Sequence, residues 1–211
     1  MNKSIKLVAA AVGAIAFMGL VACSGSSSSE TGLYGNLPAE YGKMMAERDA
    51  LKEKAKDIKT EAEKAELIAQ GQKMDEEWSA KLEETAKSLD GKPLTITDSL
   101  FKVTAPVSLQ FEKLQGSDLE PQFKVDGTAE AAQELTRENT YLSKLIVYLA
   151  GYDKEGTELF TSEIGTVAGT LNGTTLVIPA GAPVEFTHLR FNDKYVEEYP
   201  KATTLKLIVE L

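Results

Sequence analysis

The chain has 211 residues, a formal charge of −9 and one cysteine, and these values exclude several classes at once. An acidic balance argues against holding a nucleic-acid backbone, which needs clustered Lys and Arg, and a lone cysteine permits no intramolecular disulfide. The length suits one ordinary domain with an appended element.

The N-terminus has the three parts of a secretory leader. Lys3 and Lys6 supply positive charge, Leu7 to Leu20 is uncharged and apolar, and small residues precede Cys23. The apolar stretch is too short for a permanent membrane helix, which needs about 20 residues. The run Leu20-Val21-Ala22-Cys23 resembles the lipobox of bacterial lipoproteins. That resemblance implies cleavage between Ala22 and Cys23 and fatty-acyl chains on Cys23. It also implies an address in the cell envelope. Ser24 stands where the family's inner-membrane retention signal has aspartate, which implies the outer membrane, on either face. Residues 1–22 are then a signal peptide. Residues 23–37, rich in Ser and Gly, are expected to be a flexible tether. Loss of Lys3 and Lys6 with the leader takes the formal charge from −9 to −11, so the anchor rather than surface charge must hold the protein at anionic lipid.

Residues 38–91 are dense in Glu, Lys and Ala, and read as a helical stalk or hairpin. Pro38 suits a first helical position, and Gly91-Lys92-Pro93 is a stop signal. Leu51, Ala55, Ile58, Ala62, Ala65 and Ala69 are spaced four and three apart, an a/d seam of coiled-coil period. Trp78, Leu82, Ala86 and Leu89 form a second stripe after an interruption at Gly71. So thin a seam needs a partner. Either the chain turns back near Gln70-Gly71-Gln72, or one continuous rod pairs with another copy or lies along the rest of the protein. The broken register favours the hairpin.

Residues 93–211 switch to period-two alternation between turn signals, and predict a β-sandwich of immunoglobulin-like kind, so that the whole is an α+β protein. Leu145 to Tyr148 is apolar on both faces and reads as a central strand, while Leu205, Leu207, Val209 and Leu211 alternate in a last strand. Asn172-Gly173 signals a two-residue hairpin, and Asp153 to Gly156 fits a type I turn closed by a glycine bulge. Thr128 to Arg137 reads as a short helix or a crossover. The strand Ile146-Val147-Tyr148 with its Tyr152-Asp153 turn loosely resembles the Ig-like modules of envelope lipoproteins, a likeness that carries no functional residue.

Catalytic signals are thin. His188 is the only histidine, so any Ser-His-Asp device must use it, and no G-x-S-x-G elbow is present. Alternation slips at His188-Leu189, which reads as a bulge or strand bend. Zinc lacks ligands, and Asp126, Asp153, Asn192 and Asp193 read as turn caps rather than calcium ligands. No metal or cofactor is expected. Tyr148, Tyr152, Tyr195 and Tyr199 are the candidate partner-contact residues, because tyrosines at loop ends offer area at low entropy cost. The expected function is a non-enzymatic, lipid-anchored envelope protein whose β half contacts a protein or glycan while the helices act as spacer. Its rivals are an envelope hydrolase using His188 or carboxylates, and a coiled-coil assembly factor that oligomerises through its helices.

Overall fold

Thr60 decides the helical architecture. Its hydroxyl accepts the Glu63 backbone N–H, and the Glu63 carboxylate accepts the Thr60 N–H at 2.9 Å, a reciprocal cap that starts a new helix. A computed structural model describes residues 32–211; the leader, Cys23 and all but the end of the expected tether lie outside the described residues. Helix α1 runs Leu37–Ala55 and helix α2 runs Glu61–Lys87. The hairpin therefore turns at residues 56–60, not at Gly71, which lies inside α2. The a/d reading failed because the six seam positions straddle this turn. Leu51 and Ala55 lie on one helix, Ile58 in the turn, and the three alanines on the other, all three exposed.

The two helices run antiparallel and are joined across their length. Trp78 Nε1–H donates to Glu47 at 2.7 Å, Lys81 pairs with Glu40 at 2.6 Å, and Arg48 pairs with Asp75 at 2.9 Å. The second stripe does not fold back on the first. Trp78, Leu82, Ala86 and Leu89 pack instead with Leu37, Tyr41 and Met44 of α1, in one hydrophobic cluster with the strands. The helices are thus no free-standing spacer at their base. None of the described helices is long and apolar enough to cross a membrane.

The described strands form three antiparallel sheets. Strands β1 (Phe101–Gln115), β2 (Glu120–Ala131) and β9 (His188–Arg190) lie side by side in that order. A second sheet has the order β10-β4-β5-β8, from Thr204–Ile208, Lys144–Tyr152, Glu158–Ala168 and Val184–Phe186. A third joins β3 (Leu135–Arg137), β7 (Thr175–Ile178) and β6 (Thr170–Asn172). Strand β4 is central, as its apolar run predicts, although Ile146 on its outer face is 41 % exposed. The segment expected as helix or crossover is strand, ending β2 and supplying β3. Asp153 to Gly156 makes the expected turn, with Gly156 N–H on Asp153 O and Gly156 at φ 83°. The β6–β7 hairpin turns on Gly173-Thr174, one residue later than the Asn-Gly signal placed it.

The β1–β2 turn reaches back to the helices. Tyr41 donates its hydroxyl to Asp118 O at 2.7 Å, and Arg48 reaches the Asp118 carboxylate at 3.5 Å. Leu119 beside them takes φ 56°, a left-handed conformation that costs a non-glycine residue about 1–2 kcal/mol. Docking of Asp118 holds it there.

Gly71 has open space where a Cβ would stand. Gly71→Ala should therefore raise stability by about 0.5–1 kcal/mol, or roughly 1–4 °C in Tm, whereas Thr60→Ala should remove about 1 kcal/mol by uncapping α2. Thermal denaturation of both variants checks this, and a lower Tm for Gly71→Ala would contradict an uninterrupted α2.

Candidate functional site

Helices and sheets meet at an aromatic cluster, and a polar cleft is built on top of it. Tyr34 stands 4.7 Å from Tyr199 and 5.1 Å from Phe191, edge-on to both. Phe160 stands 4.8 Å from Tyr199, and Tyr41 is 5.0 Å from Phe191. Such pairs add about 0.5–1.5 kcal/mol each beyond the burial of their area. Leu33 and Tyr34 are each 2 % exposed, so the expected tether ends by residue 32; from Leu33 onward the chain is core. The rings outweigh the flexible Ser/Gly character that the flanking residues suggest.

The hydroxyls of this cluster are engaged upward, toward the cleft floor. Tyr34 donates to Arg190 O at 3.3 Å, and the Asn192 N–H donates to the Tyr199 oxygen at 3.1 Å. Burial pushes the Tyr199 phenol up to about 12, opposed by the Asn192 bond, and pushes Tyr34 well above the ordinary tyrosine value, with neighbouring Tyr199 adding to it.

A change of sheet opens the cleft. Strand β8 pairs with β5 from Gly165 to Val167, and then the chain crosses at Thr187 to enter the first sheet as β9. Thr187 N–H still reaches Ile164 O at 2.9 Å while Thr187 O accepts the Val125 N–H, so this residue bridges both sheets. Gly165 permits the tight crossing, since a Cβ there would strike the Glu185 carbonyl oxygen. Beyond the crossing, β5 continues without β8 beside it. The space left is a cleft of about 420 Å³, lined by Thr161, Ser162 and Glu163 on one side and Thr187, His188, Arg190 and Asn192 on the other. The slip in alternation at His188 is this passage between sheets.

Within the cleft, His188 Nδ1 lies 3.2 Å from the Glu112 carboxylate, which also accepts from Gln122 at 2.7 Å. No hydrogen bond joins the Ser162 hydroxyl to His188, whose Nδ1 faces Glu112. A nucleophile hydrogen-bonded to its base, the requirement for acyl transfer, is thus not formed by these two residues. Among the described residues no group of three or more His, Cys, Asp or Glu is placed to hold a metal ion. The turn residues cap their own backbones, with Asp153 accepting from Glu155 and Thr157, and Asn192 from Lys194.

Of the four tyrosines expected to form a contact surface, Tyr195 and Tyr199 come together at 6.1 Å, and no ring contact joins them to Tyr148 or Tyr152. Tyr199 is 2 % exposed and belongs to the core, which corrects its reading as a surface residue. Tyr195 is half-buried against Phe160 and Tyr199. Tyr148 and Tyr152 are half-buried on β4, and Lys206 lies 5.2 Å over the Tyr152 ring. A second hollow, of about 450 Å³ at the base of the hairpin, contains Glu40 and Lys81, which already neutralise each other. Sequence reasoning passed over Arg190, Thr161, Ser162, Glu163 and Thr187, and took Asn192 only as a turn cap. Arg190 carried a signal, being one of only three arginines. Comparison with protein families, curated proteins and solved structures finds no match to this chain.

Because the fold holds Tyr34 and Tyr199 neutral, ionisation favours the unfolded chain, and the native state retains their protons to higher pH. Their contribution is intact below about pH 10, the unfolded value, and is lost as pH rises from there toward about 12. Phenolate absorbance should show some of the seven tyrosines titrating only together with loss of native circular dichroism. Complete ionisation of all seven with the fold intact would contradict the buried cluster.

Proposed function

We propose that this chain is a lipid-anchored protein of the cell envelope, in the outer membrane, whose β half binds a protein or glycan partner without performing chemistry. The observation that carries the reading is the cleft itself. Its polar side chains stand on a buried ring cluster that fixes their backbones, and the imidazole that catalysis would need is turned to Glu112. Preformed polar groups on a rigid support favour recognition, because little ordering is left to do on binding. The shared core of the sheets supports an Ig-like sandwich as the form of that support.

The lipobox supplies the address. Acyl chains on Cys23, at about 0.8 kcal/mol per buried methylene, anchor firmly when two or more are present. From Cys23 the chain needs only nine residues to reach Gly32, at most about 30 Å when extended. Since Tyr34 lies directly beneath Arg190, anchoring would keep the cleft near the membrane.

Two measurements test this. Intact mass of the exported protein should show a chain beginning at Cys23 with fatty-acyl adducts, and Cys23→Ser should move it from the membrane to the soluble fraction; a chain starting elsewhere without an adduct would refute the anchor. The soluble body, residues 23–211 with Cys23→Ser, should co-sediment with envelope fragments, and Thr187→Trp should abolish this by filling the cleft. Equal sedimentation of both would refute the binding site.

A further inference from the structure

The chain has three arginines, and the fold engages two of them. Arg48 is clamped between Asp75 and Asp118, and Arg137 donates to Glu210 O at 3.0 Å. Arg190 differs. Among the described residues no carboxylate lies within 4.0 Å of its guanidinium, in a chain with more acidic than basic groups. Its backbone is nevertheless fixed, through Tyr34 on its carbonyl and the pairing of β9 with β2 at Gln122. Its charge acts on the Glu120 carboxyl, where it opposes the rise that burial causes, but no ion pair closes between the two. The guanidinium, lining the cleft, still presents a planar fork of donors that fits a carboxylate in two parallel bonds.

The rest of the cleft narrows the ligand. The other basic group, His188, is already turned to Glu112. Glu163 lies on the opposite wall, and no ion pair joins it to Arg190. A bare inorganic anion would face the Glu163 carboxylate with nothing to satisfy it. A ligand carrying a carboxylate for Arg190 and hydroxyls for Glu163 would satisfy both walls. Thr161 and the Asn192 amide N–H₂ add hydroxyl-binding groups, since the Asn192 side-chain oxygen is taken by Lys194 N–H. From this division of charge we infer that the cleft takes an acidic saccharide, with the sugar carboxylate on Arg190 and its hydroxyls on Glu163, Thr161 and Asn192. The inference rests on the proposed binding role and names its ligand class.

Calorimetric titration of the soluble body (residues 23–211, Cys23→Ser) with a tri-uronate, with the neutral trisaccharide of the same sugar series, and with a short acidic peptide tests it. The tri-uronate should bind at least tenfold more tightly than the neutral trisaccharide. Arg190→Gln should abolish that preference and Thr187→Trp should abolish binding altogether. Because the Arg190 side chain closes no ion pair among the described residues and acts on Glu120 only at longer range, Arg190→Gln should keep the fold, with unchanged circular dichroism. The inference is overturned if the neutral sugar binds equally well or if Arg190→Gln leaves tri-uronate affinity unaltered. It is also overturned if only the peptide binds. If Thr187→Trp still removes binding to envelope fragments while the uronate preference is absent, the binding role stands and this ligand assignment falls. If envelope binding is insensitive to Thr187→Trp, both fall.

Discussion

Everything in this structure depends on where Tyr34 inserts. Its ring contacts Tyr199, Phe191 and Phe123, which come from the second half of the chain and from both sides of the sheet change. Its hydroxyl reaches a carbonyl 156 residues away. Through this residue the N-terminal segment, the helical hairpin and the two larger sheets share one apolar interior. Truncating a ring so placed removes about 3–5 kcal/mol by the usual core cost, a large fraction of a typical folding free energy of about 5–15 kcal/mol. The cleft inherits its rigidity from the same rings, since the Arg190 and Asn192 backbones are hydrogen-bonded to Tyr34 and Tyr199.

The pattern-borne parts of the fold were legible in the sequence. The apolar run from Leu145 placed β4 inside its sheet, and period-two alternation identified Leu205 and Leu207 as inward-facing on β10. The turn from Asp153 to Gly156 followed from local chemistry, because an Asp carboxylate two and four residues before free N–H groups caps them wherever the loop lies. The hairpin turn was also readable: Thr60 followed by Glu63 is a capping box. The alanine-rich a/d spacing masked it, because alanine fits a buried seam and a solvated face equally well, and here it is solvated at Ala62, Ala65 and Ala69.

What local reasoning missed is what only distant packing decides. Leu33 and Tyr34 sit between glycines after a serine run, so the segment reads as tether until rings from residues 123, 191 and 199 are brought to it. Tyr199 reads as a surface residue for the mirror-image reason. It lies in a charged, proline-containing loop, yet Tyr34 and Phe160 bury it. The cleft was half visible. The slip at His188 marked an irregular strand, but that the strand leaves one sheet for another, and thereby uncovers β5 beside Arg190, depends on pairing with residues far away in sequence.

The most direct test of this account is whether the hairpin and the sheets unfold as one. Trp78, the only tryptophan, lies on α2 and is joined to α1 by Glu47, so its fluorescence reports on the packing of the hairpin. Circular dichroism in the strand region reports on the β half. Equilibrium denaturation of the soluble body followed by both probes should give coincident transitions with a single midpoint, the signature of one cooperative unit. If Trp78 fluorescence changed at a clearly lower denaturant concentration while the sheet signal persisted, the helices would be an independent appendage and the Tyr34 joint would not hold the molecule together.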